Sequence, residues 1–247
     1  MNKLLNYFNK LYKNDINSFN EIVKEKLKKE EKTFIVTANP ETFTIGEKDL
    51  EFDKLLSDEK TILVPDGIGI VKASHILGIN VLERITGIDL ALKLLEYGNE
   101  LGKKIFFFGA KQEVIDSLIN VVNKEYPNLK IVGSENGYAK EKDEVFTKIA
   151  ELNPDIILVA MGIPLQEKLI YRNLNKFEKG IFVGVGGSFD VISGHKKRAP
   201  KVFIKLNLEW LYRIAKEPKR IKRFYDNNIK FLFKVKKLKK EVKNEKD

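Results

Sequence analysis

Asp66 lies in Val64-Pro65-Asp66-Gly67-Ile68-Gly69, directly after a short apolar run. A carboxylate there projects past a strand end, where glycine lets a ligand approach closely, so it can serve as a general base. The alternative is a cap for a helix starting near Ile68. Arg84, in Glu83-Arg84-Ile85-Thr86-Gly87-Ile88-Asp89, carries a planar fork that grips a diphosphate bidentately, or else forms an ion pair with Glu83 or Glu51. Asp89 suits the cap of the next helix. Gln166, in Gly162-Ile163-Pro164-Leu165-Gln166-Glu167-Lys168, falls in the first turn of a proline-initiated helix. There it faces a ligand or is simply a favourable first-turn residue.

The turn Gly184-Val185-Gly186-Gly187 is similar to a phosphate-cradling loop. It lacks the G-x-x-x-x-G-K-[ST] pattern, and Phe189 breaks G-x-G-x-x-G, so neither a P-loop ATPase nor a standard dinucleotide site is supported. No two aspartates stand at i, i+2, and the chain has no Cys and only two His, His75 and His195. Thiolate chemistry and Cys- or His-rich metal sites are thereby excluded. Metal-free chemistry is the default expectation, with Arg and Lys neutralising a departing phosphate.

These residues need a scaffold that gathers them. Runs rich in β-branched and aromatic residues at Phe34-Ile35-Val36, Ile62-Leu63-Val64, Ile105-Phe106-Phe107-Phe108, Ile156-Ile157-Leu158-Val159 and Ile181-Phe182-Val183 predict buried strands, with a weaker one at Lys130-Ile131-Val132. Amphipathic stretches around 68–78, 89–101, 111–125, 141–151 and 165–177 predict helices between them. The β/α alternation predicts an α/β fold, a mostly parallel sheet with helices on both faces. In such sheets ligands bind beyond the carboxyl ends of the strands. There the chain places Thr37-Ala38-Asn39-Pro40, Pro65-Asp66-Gly67, Gly109-Ala110, Met161-Gly162 and Gly184-Val185-Gly186-Gly187.

Charge divides the chain. From Lys196 to Asp247 there are 19 Lys and Arg against 6 Asp and Glu; residues 1–195 have 26 against 29. A near-neutral body, 1–195, therefore carries a basic appendage, 196–247, and one surface is aimed at phosphates or anionic lipid. The stretch after Pro200 interleaves Leu, Trp, Tyr, Ile and Phe with Arg and Lys and is broken at Pro218. It predicts two or three short amphipathic helices suited to a phospholipid surface, or a solvated basic face on a packed helix. Packing of the apolar tail faces between copies, as a homo-oligomer, is a further expectation. The N-terminal residues lack a signal-peptide pattern, and no apolar run reaches the roughly 20 residues that span a bilayer. The expected location is cytoplasmic, peripheral on the inner face of the membrane.

Seven blocks in order, TANPE, VPDGIGIVKAS, ERITGIDL, FFFGA, GIPLQEK, GVGGSFDVISGHKKRAP and LEWLYRIAKEPKRIKRF, resemble the WecG/TagA/CpsF family of glycosyltransferases over roughly residues 33–225, nearest its TagA-type branch. The resemblance implies a Rossmann-like α/β fold. It also implies transfer of N-acetylmannosamine from UDP-N-acetylmannosamine to the 4-hydroxyl of N-acetylglucosamine on a polyprenyl (undecaprenyl) diphosphate. That transfer inverts the anomeric centre, needs no metal or other cofactor, and forms a β-1,4 disaccharide for wall teichoic acid. Relatives with N-acetylmannosaminuronic acid or glucose donors make these the alternatives.

Carried over by motif, Asp66 takes the place of the general base, and Thr37 and Asn39 line the acceptor side. Arg84 is expected near the diphosphate and Gln166 near the transferred sugar. Gly109, Gly186 and Gly187 are expected at the substrate cleft. Arg213, Arg220 and Arg223 of the appendage are expected to fold over it and contact the diphosphate. The family's usual P-K-Q-E lysine is Leu165 here, so that charge is missing.

Two rival readings stand beside this one. A polyanion-binding protein is disfavoured by the slightly acidic body and by the lack of any RNP, helix-turn-helix or zinc-finger pattern, so no nucleic-acid partner is expected. A nucleotide-dependent oxidoreductase is disfavoured by the missing G-x-G-x-x-G.

Overall fold

The computed structural model describes residues 2–244, except for the side chain of Arg223. Two helices, α1 (Lys3–Lys10) and α2 (Ile16–Lys28), precede the sheet. The side-chain oxygens of Asn2 and Asp15 accept first-turn N–H groups and so cap them. Next come β1 (Thr33–Ala38), α3 (Pro40–Lys48), α4 (Leu50–Ser57), β2 (Thr61–Pro65), α5 (Ile68–Ile76) and α6 (Gly87–Glu100). The alternation continues through β3 (Lys104–Gly109), α7 (Gln112–Glu125), β4 (Lys130–Glu135), α8 (Lys142–Leu152), β5 (Ile156–Ala160), α9 (Leu165–Asn173) and β6 (Ile181–Gly184).

All six expected strands form, joined in the order β2-β1-β6-β5-β3-β4 with every neighbouring pair parallel. Because side chains alternate along a strand, successive residues feed opposite cores. Phe106, Phe108, Ile157 and Val159 join the core on one face, with Phe8, Phe43 and Phe146. Ile105, Phe107, Ile156 and Leu158 join the other, with Phe19, Leu94 and Phe189. Burial on both faces explains why these strands read as continuous apolar runs.

The N-terminal segment, which the blocks above leave out, belongs to the body. Helix α1 buries Leu4, Tyr7 and Phe8 on one face of the sheet, and α2 buries Phe19, Val23 and Leu27 on the other. Helices α3 and α4 also fall where no helix is expected from the periodicity. Their start is nonetheless encoded. Asn39 and Thr42 form a reciprocal capping box, with Pro40 at the first helical position.

After α10 (Ser188–Ile192), the basic tail forms α11 (Lys201–Lys205), α12 (Glu209–Lys216), α13 (Arg220–Phe224), a more widely wound stretch at Tyr225–Ile229, and α14 (Lys230–Asn244). Pro218 lies between α12 and α13, as expected of a residue that cannot continue a helix. The last helix is anchored. Phe231, Val235 and Leu238, one stripe of α14, are buried, and the Phe231 ring lies 6.1 Å from that of Phe8 and 6.4 Å from that of Phe43. Lys234 pairs with Glu47 at 2.7 Å. The tail thus leaves the body at one point and returns to its core at another. Among the described residues, no helix is long and apolar enough to cross a membrane.

Candidate active site

The carboxyl ends of β1, β2, β5 and β6 open onto one side of the sheet, and the tail roofs them. Two adjoining cavities lie beneath that roof. The larger, about 800 Å³, is lined by Thr37, Gly162, Gly186 and Gly187 from the body and by Lys196, Lys197 and Arg198 from the start of the tail. The smaller, about 450 Å³, has apolar walls from Pro40, Ile68, Trp210, Ile214, Phe224 and Leu232. Trp210 and Phe224 stack face to face, their centroids 4.2 Å apart. Asn39, Asp66, Arg84, Arg213 and Arg220 line both cavities.

Asp66 marks their junction. Its backbone N–H donates to the Ala38 carbonyl at 2.8 Å, continuing the β1–β2 pairing one residue beyond the strand. Gly67, at φ +88°, then turns the chain into α5, whose start receives no side-chain cap. A left-handed φ of this kind favours glycine. Asp66 therefore does not cap α5, and its carboxyl is left facing the cavities. The residue is partly exposed, in the lining of both cavities. Burial pushes its pKa up to about 6; Arg213 and Arg84 pull it down, and Glu209 and Asp89 push it up. A carboxylate so placed is ionised at neutral pH yet basic enough to take a proton.

Gln166 lines the larger cavity but spends its polar atoms on the protein. Its Oε1 accepts from the N–H groups of Gly162 (3.1 Å), Gly186 (3.1 Å) and Met161 (3.3 Å), and its Nε2 donates to Glu167 at 2.7 Å. One carboxamide thus staples the loop after β5 to the glycine turn after β6. Gly184 is the floor beneath it, since a Cβ there would lie 2.5 Å from Gln166 Nε2. Gly186, at φ +49°, supplies one of the stapled N–H groups. Glu167 is 3% exposed, with Oε2 lacking a hydrogen-bond partner. Burial pushes its pKa up to about 7.

Arg84 pairs with neither Glu83 nor Glu51. Its guanidinium reaches into the tail, donating to the Ile204 carbonyl at 3.2 Å and lying 3.5 Å from Glu209. Glu51 is taken by Arg172 and Lys168, and Glu83 accepts from the Ile16 N–H. Asp89 is not the cap of α6 either. Thr86 caps it, while Asp89, in the first turn, accepts from Thr86 and from Arg198, each at 2.6 Å.

Of the other expected site residues, Thr37, Asn39, Gly187, Arg213 and Arg220 line the cavities. Asn39 uses Oδ1 for the α3 cap, which holds its carboxamide at the mouth. Gly109 lines neither cavity. Its bare Cα instead lets the strand end pass Ala160, whose carbonyl oxygen would lie 2.3 Å from an added Cβ. The Arg223 side chain lies outside the described atoms. Sequence reasoning left out Glu167, Arg198, Glu209 and Trp210 as site residues. All but Glu167 sit in the two tail-side blocks, where Arg198 and Glu209 merge into a net basic run and Trp210 reads as one apolar residue of an amphipathic helix. Among the described residues, no three His, Asp or Glu side chains are grouped to hold a metal ion.

The sequence profile of the glycosyl transferase WecG/TagA/CpsF family matches residues 6–246. The chain belongs to this family. It is a glycosyltransferase, and the match extends beyond the 33–225 blocks to take in most of α1, all of α2 and the whole of α14. Similar proteins include the N-acetylglucosaminyldiphosphoundecaprenol N-acetyl-beta-D-mannosaminyltransferase of Bacillus subtilis strain 168, 44% identical over 189 residues, which are 76% of this chain and 73% of that one. The protein of the same name from Bacillus spizizenii is 43% identical over 77% of this chain and 74% of its own. That of Staphylococcus aureus strain MW2 is 39% identical over 86% and 83%.

Proposed function

We propose that the chain transfers N-acetylmannosamine from UDP-N-acetylmannosamine to the 4-hydroxyl of N-acetylglucosamine on undecaprenyl diphosphate, making a β-1,4 disaccharide for wall teichoic acid. The observation that carries this reading is Asp66 at the junction of two unlike cavities. The larger, with glycine turns and cations, suits a sugar nucleotide; the smaller, with aromatic and aliphatic walls, suits an acceptor whose diphosphate leads into a lipid. The names of the relatives support the acceptor and the transferred sugar.

In this reading Asp66 takes the proton of the acceptor hydroxyl as that oxygen bonds to the anomeric carbon. The bond from that carbon to the diphosphate breaks on the opposite side, so configuration inverts in one step and UDP leaves. The hydroxyl's pKa is far above neutral, so proton transfer must accompany bond formation. Charge grows on the departing diphosphate, and Arg84 and Arg213 stand where they would meet it without a divalent cation.

The tail also offers a membrane surface. Val202, Leu206, Ile221, Tyr225 and Phe233 are exposed among the lysines of α11, α13 and α14, a pattern suited to an anionic leaflet. Docking there would bring the smaller cavity to the lipid-borne acceptor, with residues 196–247 acting as a membrane-facing appendage.

The test offers the protein a lipid-diphosphate N-acetylglucosamine analogue with UDP-N-acetylmannosamine, its uronic acid, or UDP-glucose, each with and without a chelator. Product from the first donor alone supports the reading. Product from another donor reassigns the sugar, and none from any donor removes the proposal.

A further inference from the structure

We propose that Glu209 is an internal stand-in for the substrate's diphosphate, gathering Arg84, Arg198 and Arg213 around one point and releasing them when a diphosphate arrives. This rests on the diphosphate reading of the larger cavity, which all four residues line.

Helix α12 buries a single residue, and it is this glutamate, 4% exposed, while Leu211 on the same helix is 41% exposed. A buried carboxylate is costly unless cations surround it. Arg213 lies 2.8 Å from Oε1, Arg84 3.5 Å from Oε2, and Arg198 3.9 Å from Oε1. Only the first is a hydrogen bond of ordinary length. The Nε of Arg198 is buried and has no hydrogen-bond partner.

Three guanidinium groups thus converge on an anion too small to satisfy them. Two are fixed from behind, Arg84 by the Ile204 carbonyl and Arg198 by Asp89. That leaves Arg84 Nη1 at 3.5 Å and Arg198 Nε at 3.9 Å from the Glu209 carboxylate. A diphosphate, with more oxygens and more charge, can fill the donors that one carboxylate leaves short.

Two effects follow. Arg84 belongs to the body and the other three residues to the tail, so Glu209 helps to hold the roof down when no diphosphate is bound. Its fixed charge also opposes an incoming anion, which limits affinity and favours release of UDP. Neutralising it without changing its shape should therefore tighten anion binding. A glutamate that only scaffolds the arginines would behave oppositely, because its loss would scatter them.

The experiment measures binding of inorganic pyrophosphate to the full-length protein by equilibrium dialysis, without divalent metal and at constant ionic strength. Glu209→Gln should lower Kd about tenfold, and Arg198→Gln should raise it about tenfold. Glu209→Gln binding pyrophosphate as the wild type does, or more weakly, overturns the proposal. Should Glu209→Gln fail to fold by circular dichroism, Arg198→Gln decides, and unchanged affinity in that variant overturns the proposal. A wild type that binds neither pyrophosphate nor UDP removes the diphosphate reading itself. A wild type that binds both, with variants indistinguishable from it, removes only the role of Glu209.

Discussion

Asp66→Asn should yield a protein that is both inactive and more stable. As a general base the carboxylate contributes about 100- to 10,000-fold to the rate, and the amide cannot accept the proton. Its pKa of about 6 leaves about nine-tenths of the wild type ionised at pH 7 and about a tenth at pH 5, so kcat/KM should fall roughly tenfold between them. The stability effect has the opposite sign. Between the ordinary 3.8 and about 6, the folded protein holds a proton that the unfolded chain has released. Stability from this group therefore falls as pH rises through that window, and above it the charged carboxylate costs its full amount.

The difference corresponds to about 3 kcal/mol. Solvent contact through the cavities reduces it to about 1–2 kcal/mol. For a chain of this size, Asp66→Asn should raise Tm by roughly 2–8 °C at pH 7.5 and by little at pH 4. The assays are UDP release in the presence of acceptor and thermal unfolding at both pH values. A variant that keeps more than about a tenth of wild-type activity contradicts the base role. One with no gain in Tm at pH 7.5 contradicts the claim that burial of this carboxylate strains the fold.

Gly184→Ala should push Gln166 off the floor of the cleft and unfasten the two loops it joins, lowering kcat/KM about tenfold or more; donor kinetics would read this, and wild-type values would refute the stapling role. Ile221→Glu combined with Phe233→Glu should weaken binding to anionic vesicles about tenfold or more, measured by sedimentation, while unchanged partitioning would clear the tail of that task. Prior dialysis against a chelator should leave transfer within about twofold, and a loss restored by magnesium would show that the arginines do not suffice. Phe231→Ala should cost about 3–5 kcal/mol in denaturant unfolding, and a cost under about 1 kcal/mol would show that α14 is not part of the core.

The sheet was legible because both of its faces are buried, which turns each strand into an apolar run that needs no partner to be recognised. Asp66 and the glycine turn at 184–187 were legible because they directly follow such runs, whereas Arg84 stood out only through its Glu-Arg-x-x-Gly segment. Helix α3 was hidden by a different cause: Asn39-Pro40 reads equally well as a rim motif and as a helix start, and it is both. For Arg84, the ion-pair alternative with Glu83 or Glu51 fails because its carboxylate partner, Glu209, lies far along the chain, and spacing carries no record of that pairing. Glu209 itself was lost in a charge count, since a lone acid in a basic stretch looks like surface until burial shows otherwise.

The contact of Phe231 with Phe8 and Phe43 joins the first helix to the last. During synthesis α1 emerges early, and its Tyr7 and Phe8 can pack on Phe43 of α3, but the cluster is completed only when Phe231 of α14 arrives. The helix that completes that cluster directly follows the arginine-bearing segment. Closing this part of the core and fixing the far end of the cleft's roof are therefore one late event. A chain cut short before α14 would lack the helix that anchors the roof segment to the core and would leave Phe8 and Phe43 partly uncovered, apolar surface of the kind by which chaperones and proteases recognise unfinished proteins.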